Sequence, residues 1–164
     1  MNLAHPMQIA ECNQEPRTAR QQEMIKKVLS DNDIQLTYRV MSQLRTHVPE
    51  GEYLSRVKRQ LSSGYQVAAL FDDGQVCCVA GYRISECLAW GKFMYVDDLV
   101  SDQNGRSNSY GKQMLAWLAD EANKNGCQEF HLDSGVQRHA AHRFYLRERM
   151  DITCFHFAKK ILGV

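Results

Sequence analysis

The sequence has no long apolar run. Nothing in it approaches the roughly 20 residues that a membrane-spanning helix needs. It also lacks an excess charge of either sign. Lys plus Arg total 20 against 19 Asp plus Glu, a net +1. That balance excludes a general nucleic-acid binder, because neutralising phosphates requires a basic excess. The opening residues, MNLAHPMQIAEC, lack a basic stretch followed by an apolar one, so no export signal is expected. Proline is scarce, three in 164 residues, and no repeat or low-complexity tract divides the chain. CxxC pairs are absent, and no His/Cys spacing fits a zinc site, so no metal is expected. The six cysteines, Cys12, Cys77, Cys78, Cys87, Cys127 and Cys154, read as reduced and mostly buried thiols of a cytoplasmic protein.

What is present suits one globular domain. Hydrophobic residues make up 44% and charged residues 24%, enough to bury a core and too apolar for overall disorder. MQIAEC is a short strand candidate, and residues 16–30, PRTARQQEMIKKVLS, read as a helix with Pro near its first position. Asp31 or Asn32 then caps a second helix, with Ile34, Val40, Met41 and Leu44 as its apolar stripe. Pro49 and Gly51 break it, and Tyr53, Leu54, Val57 and Leu61 resume helical spacing up to Gly64.

The period then changes. YQVAALF and VCCVAGYRI are strands joined at Asp73-Gly74, a strong hairpin signal. FMYVDDLVS is a third strand. GRSNSYGKQMLAWLADEANKNG is a glycine-containing loop that opens a helix, with Met114, Leu115, Trp117 and Leu118 as its apolar face. QEFHLDS is a strand, VQRHAAHRFYLRERM a helix and DITCFHFAKKI a closing strand. The order predicts an α/β (α+β) fold with a mixed, mostly antiparallel central sheet flanked by helices.

The stretch Asp97 to Lys112, DDLVSDQNGRSNSYGK, carries the chemistry. A strand delivers the chain into a small, polar loop that opens a helix. Backbone N–H groups at such a start lack intrahelical acceptors and sit at the positive end of the dipole, which suits phosphate oxygens. Arg106 and Lys112 add charge. An ordinary capped helix start is the plain alternative for the same residues.

With these residues in place, the sequence resembles the GNAT acyltransferase superfamily, which moves acetyl from acetyl-CoA to an amine. The family's phosphate loop, Arg or Gln, two residues, Gly, one residue, Gly or Ala, is matched by Arg106-Ser107-Asn108-Ser109-Tyr110-Gly111. Asp98-Leu99-Val100-Ser101-Asp102 resembles the family's fourth strand, and Ala141-His142-Arg143-Phe144-Tyr145 its Ala-x-x-(Leu/Phe)-Tyr helix. The resemblance spans roughly residues 31–160. It implies a GNAT domain over 31–164, with residues 1–30 a strand/helix extension packed on it. Three departures stand out. Ser109 replaces the first loop glycine, Arg138 replaces an asparagine, and one terminal strand stands where most relatives have two.

The resemblance implies that CoA lies along the fourth strand, with its pyrophosphate over Arg106, Ser107, Asn108, Ser109, Tyr110, Gly111 and Lys112. The N–H groups of Leu99 and Val100 would hold pantetheine or the acetyl carbonyl. Arg143 is a candidate for the 3′-phosphate and Tyr145 matches the family's general acid. The base is open. Asp97 and Asp98 are consecutive on a strand and are expected to face opposite sides. Asp97, with Tyr95 on its face, is chosen as the base, beside a purely structural role for both. The expected activity is acetyl-CoA-dependent N-acetylation of a primary amine by direct attack. The acceptor is a small molecule or peptide, cationic because acidic residues line the mouth. It enters between Thr46–Glu50 and the turn CLAWGKF. A homodimer is expected. The rival readings are a non-catalytic CoA-binding module of the same fold and an assembly protein.

Overall fold

The computed structural model describes residues 24–161. MQIAEC, and with it Cys12 and most of the 1–30 extension, lie outside them. Residues 24–27, expected in a helix, form strand β1 (Met24–Lys27), paired antiparallel with Ala68–Phe71. The helix formers there are overridden because the ladder satisfies their backbone and Val28 is buried. Ser30, one residue before the expected cap, accepts from the Asp33 N–H at 3.1 Å and starts α1 (Asp31–Met41). The helix stops three residues short of Leu44. Pro49 caps α2 (Glu50–Leu61).

Three strands follow: β2 (Tyr65–Asp72), β3 (Gln75–Cys87) and β4 (Gly91–Ser101). The β2–β3 turn holds Asp73 at φ 50° and Gly74 at φ 75°, as a two-residue hairpin turn requires. A short 3-10 turn, Gln103–Asn108, leads into α3 (Tyr110–Lys124), then β5 (Glu129–Leu132) and α4 (His139–Arg147). The sheet order is β1-β2-β3-β4-β5, antiparallel except for the parallel β4–β5 pair. The mixed, mostly antiparallel sheet between helices is the architecture expected from the sequence.

The period-2 alternation of the strands feeds two cores. On one face Val67, Ala69 and Val79 pack with Ile34, Val40, Tyr53 and Val57 of α1 and α2. On the other Ala68, Leu70, Ala80, Tyr82 and Met94 pack with Met114 and Leu118 of α3. Thr37 and Tyr53 join α1 to α2 through hydroxyls 2.8 Å apart.

The expected closing strand is not formed. Residues 151–161 take no ladder bonds and are exposed throughout. A β-strand needs a neighbour for its backbone groups, and composition alone does not supply one.

Candidate functional site

Strands β4 and β5 pair only from Phe93–Glu129 to Val96–Leu132. Beyond that rung they part. The gap is a cleft of about 150 Å3 between Asp97 and Leu99 on one side and Asp133, Ser134 and Gly135 on the other. Leu44 and Arg45 of the α1–α2 connection and Arg138, Ala141 and Tyr145 of the α4 end complete it. The expected helix break thus lines the cleft, through Leu44 and Arg45 rather than Thr46–Glu50. The 87–93 turn does not line it.

The register of β3 and β4 shifts between Gly81 and Tyr82, where Asp98 pairs with Gly81, Val96 with Tyr82, and Asp97 is the extra residue. A bulge of this kind interrupts alternation. It corrects the expectation that Asp97 and Asp98 face opposite sides. Asp97 Oδ2 accepts from Arg83 Nε at 2.9 Å, and Arg83 also reaches Gln60 and Ser63 at the end of α2. Asp98 accepts from the Tyr65 hydroxyl and from Arg45 Nε, both at 2.6 Å. Both carboxylates are therefore held on the α1–α2 face. Arg45 Nη2 also donates to the Asp97 carbonyl at 2.8 Å.

The two aspartates divide the work. Asp98 is buried and doubly bonded, a brace. Asp97 is half-buried and borders the cleft. Burial pushes its carboxyl above the ordinary value and Asp98 adds to this, while Arg83 and Arg45 oppose it. Tyr95 shares its face, as expected, and its hydroxyl donates to Asp133, which His156 Nδ1 also meets at 2.9 Å.

Tyr145 lies half-buried in the cleft wall. Burial raises its phenol above the ordinary value, the Arg138 guanidinium counters this, and Cys78 adds to it. Such a phenol keeps its proton at neutral pH.

The loop before α3 is anchored at Asp102, which is buried. It accepts from Arg39, from Gln43 Nε2 at 3.2 Å and from the Asn104 N–H at 3.2 Å. Burial alone would raise its pKa, but these donors outweigh it and hold it below the ordinary carboxylate value. Arg106, Ser107 and Asn108 lie on the 3-10 turn; their side chains are outside what the structure describes. Ser109 is exposed, at φ 60° and ψ 18°, the left-handed region that glycine enters without cost. The departure from glycine therefore falls where glycine is easiest. Ser109 makes no side-chain capping bond.

Tyr110 turns inward and donates its hydroxyl to Asp72, so only its backbone belongs to the loop. Gly111 packs closely. A β-carbon there would stand 3.3 Å from Ser101 Oγ and 3.6 Å from the Phe144 ring. Lys112 and Arg143 are exposed. Leu99 borders the cleft, whereas the Val100 side chain packs into the α1–α2 core. Among the described residues no group of three His, Cys, Asp or Glu is arranged to hold a metal, and no helix is long and apolar enough to cross a membrane.

Sequence reasoning missed Arg45, Tyr65, Arg83 and Asp133. Only the glycine at 81 hinted at them, as a strand glycine marks close approach or a bulge.

A sheet split between two parallel strands, with a tyrosine in the wall of the gap, is the arrangement that the resemblance to the GNAT superfamily implied. The comparisons agree. The model of the acetyltransferase (GNAT) family matches residues 33–150. An uncharacterized N-acetyltransferase of Bacillus subtilis is 32% identical over 122 residues, 74% of this chain and 86% of that protein. An aminoalkylphosphonate N-acetyltransferase of Salmonella typhimurium is 36% identical over 66 residues, 40% of this chain and 43% of its own length. In fold, an aminoglycoside N-acetyltransferase solved with CoA superposes with a TM-score of 0.77 over 92% of this chain and all of its own, at 14% identity. The chain belongs to the GNAT acetyltransferase family.

Proposed function

We propose that the protein transfers acetyl from acetyl-CoA to a primary amine by direct attack, and that the acceptor is cationic, a small molecule or a peptide. The parting of β4 and β5 beyond Val96 and Leu132 carries this reading. It leaves the alternate N–H groups of β4 on that side without a strand partner, and Leu99 is one of them; Val100 has the parity of Asp102, whose N–H donates to the Cys77 carbonyl of β3. The residues present fit the co-substrate. The thioester carbonyl or pantetheine is held by the backbone N–H of Leu99, whereas the expected partner Val100 turns its N–H toward β3. The pyrophosphate is held by Arg106–Lys112, at a helix start with no side-chain cap. Arg143 reaches the 3′-phosphate.

An alkylammonium arrives mostly protonated, its pKa being about 10.4. Asp97 attracts it and takes its proton, directly or through water. The nitrogen forms a bond to the thioester carbonyl carbon, and the carbon–sulfur bond breaks. The departing thiolate takes the proton of the Tyr145 hydroxyl, and the second proton, lost by the acylated nitrogen, returns to the phenolate directly or through water. No cysteine is invoked, so no covalent acyl-enzyme forms. The protein works in the cytoplasm as a homodimer and uses no metal.

Two measurements test this. Acetyl-CoA at 100 times its dissociation constant should stabilise the fold by about 2.7 kcal/mol; no thermal shift at millimolar acetyl-CoA removes the CoA site. A screen of amine classes, read by thiol release, should find acceptors among cations. Turnover only on neutral or acidic amines overturns the acceptor assignment.

A further inference from the structure

Four charged side chains border the cleft: Arg45, Asp97, Asp133 and Arg138. Three of them are answered within the chain. Asp97 accepts from Arg83 Nε at 2.9 Å. Asp133 accepts from the Tyr95 hydroxyl and meets His156 Nδ1 at 2.9 Å. Arg45 donates Nε to Asp98 and Nη2 to the Asp97 carbonyl. Arg138 is the fourth. Among the described residues its guanidinium meets no carboxylate and donates no hydrogen bond. It is also the residue that departs from the asparagine of the family pattern. A charge left unanswered in a cleft wall draws a ligand group of opposite sign.

The helix that Arg138 opens fixes its place. With Ala141 and Tyr145 it lines the cleft along one face of α4, at the i, i+3, i+7 spacing. Burial raises the Tyr145 phenol and the Arg138 charge counters it, so the guanidinium is felt where the thiolate departs. The other end of α4 belongs to the phosphate loop, since Phe144 packs against Gly111. Arg138 precedes Phe144 by about 9 Å along the helix axis, at roughly 1.5 Å per residue. It therefore stands past Tyr145 as seen from that loop, on the side from which an amine approaches. Ser134 adds a second donor. It borders the same cleft, and its Oγ is shut off from solvent with no hydrogen-bond partner among the described residues. The turn that carries both is closed by the Arg138 N–H, which donates to the Gly135 carbonyl at 2.9 Å. A buried hydroxyl without a partner is costly. A hydroxyl and a guanidinium on one turn suit the oxygens of a carboxylate or a phosphate.

We propose that the acceptor carries an anionic group, a carboxylate or a phosphate, besides its amine, and that Arg138 with the Ser134 hydroxyl binds it. The inference rests on the acetylation reading and narrows it. The ammonium goes to Asp97 on the β4 side of the cleft, and the anion goes to Arg138 on the α4 side. A simple alkylammonium makes only the first of these contacts. Arg138 is then a specificity residue, which selects among amines by what they carry beyond the nitrogen.

Initial rates read by thiol release test it, with 3-aminopropanoate and 2-aminoethyl phosphate set against 1-propylamine and 1,3-diaminopropane. The first two carry an anion and the last two none. In the parent the better anion-bearing amine should exceed 1-propylamine in kcat/KM by about 10–100-fold, the range of a charge-assisted hydrogen bond. The gain should lie mostly in KM and shrink as salt is added. Arg138→Gln should bring the ratio close to one. Arg138→Lys, which keeps the charge but not the planar fork, should restore part of it. A parent that turns over 1-propylamine or 1,3-diaminopropane as well as the anion-bearing amines overturns the proposal and leaves the acetylation reading standing. So does a ratio that Arg138→Gln does not move. Weaker acetyl-CoA binding by Arg138→Gln in a thermal shift, with the ratio kept, gives the guanidinium to a phosphate of the co-substrate and overturns the proposal too. Thiol release with no amine of any class takes down the acetylation reading, and this inference with it.

Discussion

The Tyr65 hydroxyl lies over Gly81, only 1.7 Å from where a β-carbon of residue 81 would stand. The absent side chain lets the phenol cross β3 and donate to Asp98 on β4. Burial, with Asp98 adding to it, holds that phenol well above its ordinary pKa, so it stays a donor. Gly81→Ala must push the ring off Asp98. It should destabilise the protein by about 2–4 kcal/mol, as overpacking and a broken buried hydrogen bond combine. Tyr65→Phe should cost about 1–3 kcal/mol, the penalty for removing one partner from a buried carboxylate. Urea midpoints measure both. Equal stability of Gly81→Ala and the parent would refute the close approach.

Tyr145→Phe keeps the ring and removes the proton. Turnover at neutral pH should fall by about 10²–10⁴, the usual range for a lost general acid, with acetyl-CoA binding retained. Steady-state kinetics and a thermal shift with acetyl-CoA separate the two. Unchanged turnover would take Tyr145 out of the mechanism.

Arg83 opposes the upward shift of the Asp97 carboxyl. Arg83→Met should therefore move the Asp97 pKa further up. If Asp97 accepts the proton, the acid limb of the kcat/KM profile must move to higher pH. Asp97→Asn should abolish that limb and lower turnover. A profile indifferent to Arg83→Met assigns the base elsewhere.

Ser109 holds a left-handed conformation that costs a side-chain-bearing residue about 1–2 kcal/mol, while glycine there loses about 0.5–1 kcal/mol of chain entropy. Ser109→Gly should thus gain about 0.5–1 kcal/mol. Differential scanning calorimetry should register this as a rise of a few degrees in Tm. A lower Tm would show that the serine side chain holds the loop by itself.

Asp102 has a folded pKa below the ordinary carboxylate value of about 3.9. A depressed carboxylate contributes stability that is complete above its unfolded pKa and is lost as pH falls through the folded one. Urea midpoints measured downward from pH 5 should fall more steeply for the parent than for Asp102→Asn, and the curves should converge at low pH. Parallel curves would deny the ion pair with Arg39 its role.

Much of this protein was legible before any coordinates. The Asp73-Gly74 turn, the period-2 runs of β2 to β4 and the break at Pro49 are local matters, set by residues near one another in sequence. The loop leading into Tyr110–Lys124 was legible for the same reason, since a helix start is written in consecutive residues. Tertiary structure decided the rest. Met24–Lys27 became a strand because Ala68–Phe71 offered a ladder, whereas residues 151–161 take no ladder bonds. Strand identity depends on a partner remote in sequence, and composition names none. The bulge that turns Asp97 and Asp98 to one face is a property of two strands in register, invisible in either alone. Likewise Tyr65 and Arg83 meet the aspartates across the sheet, and Arg45 meets them from the α1–α2 connection, where spacing along the chain carries no signal.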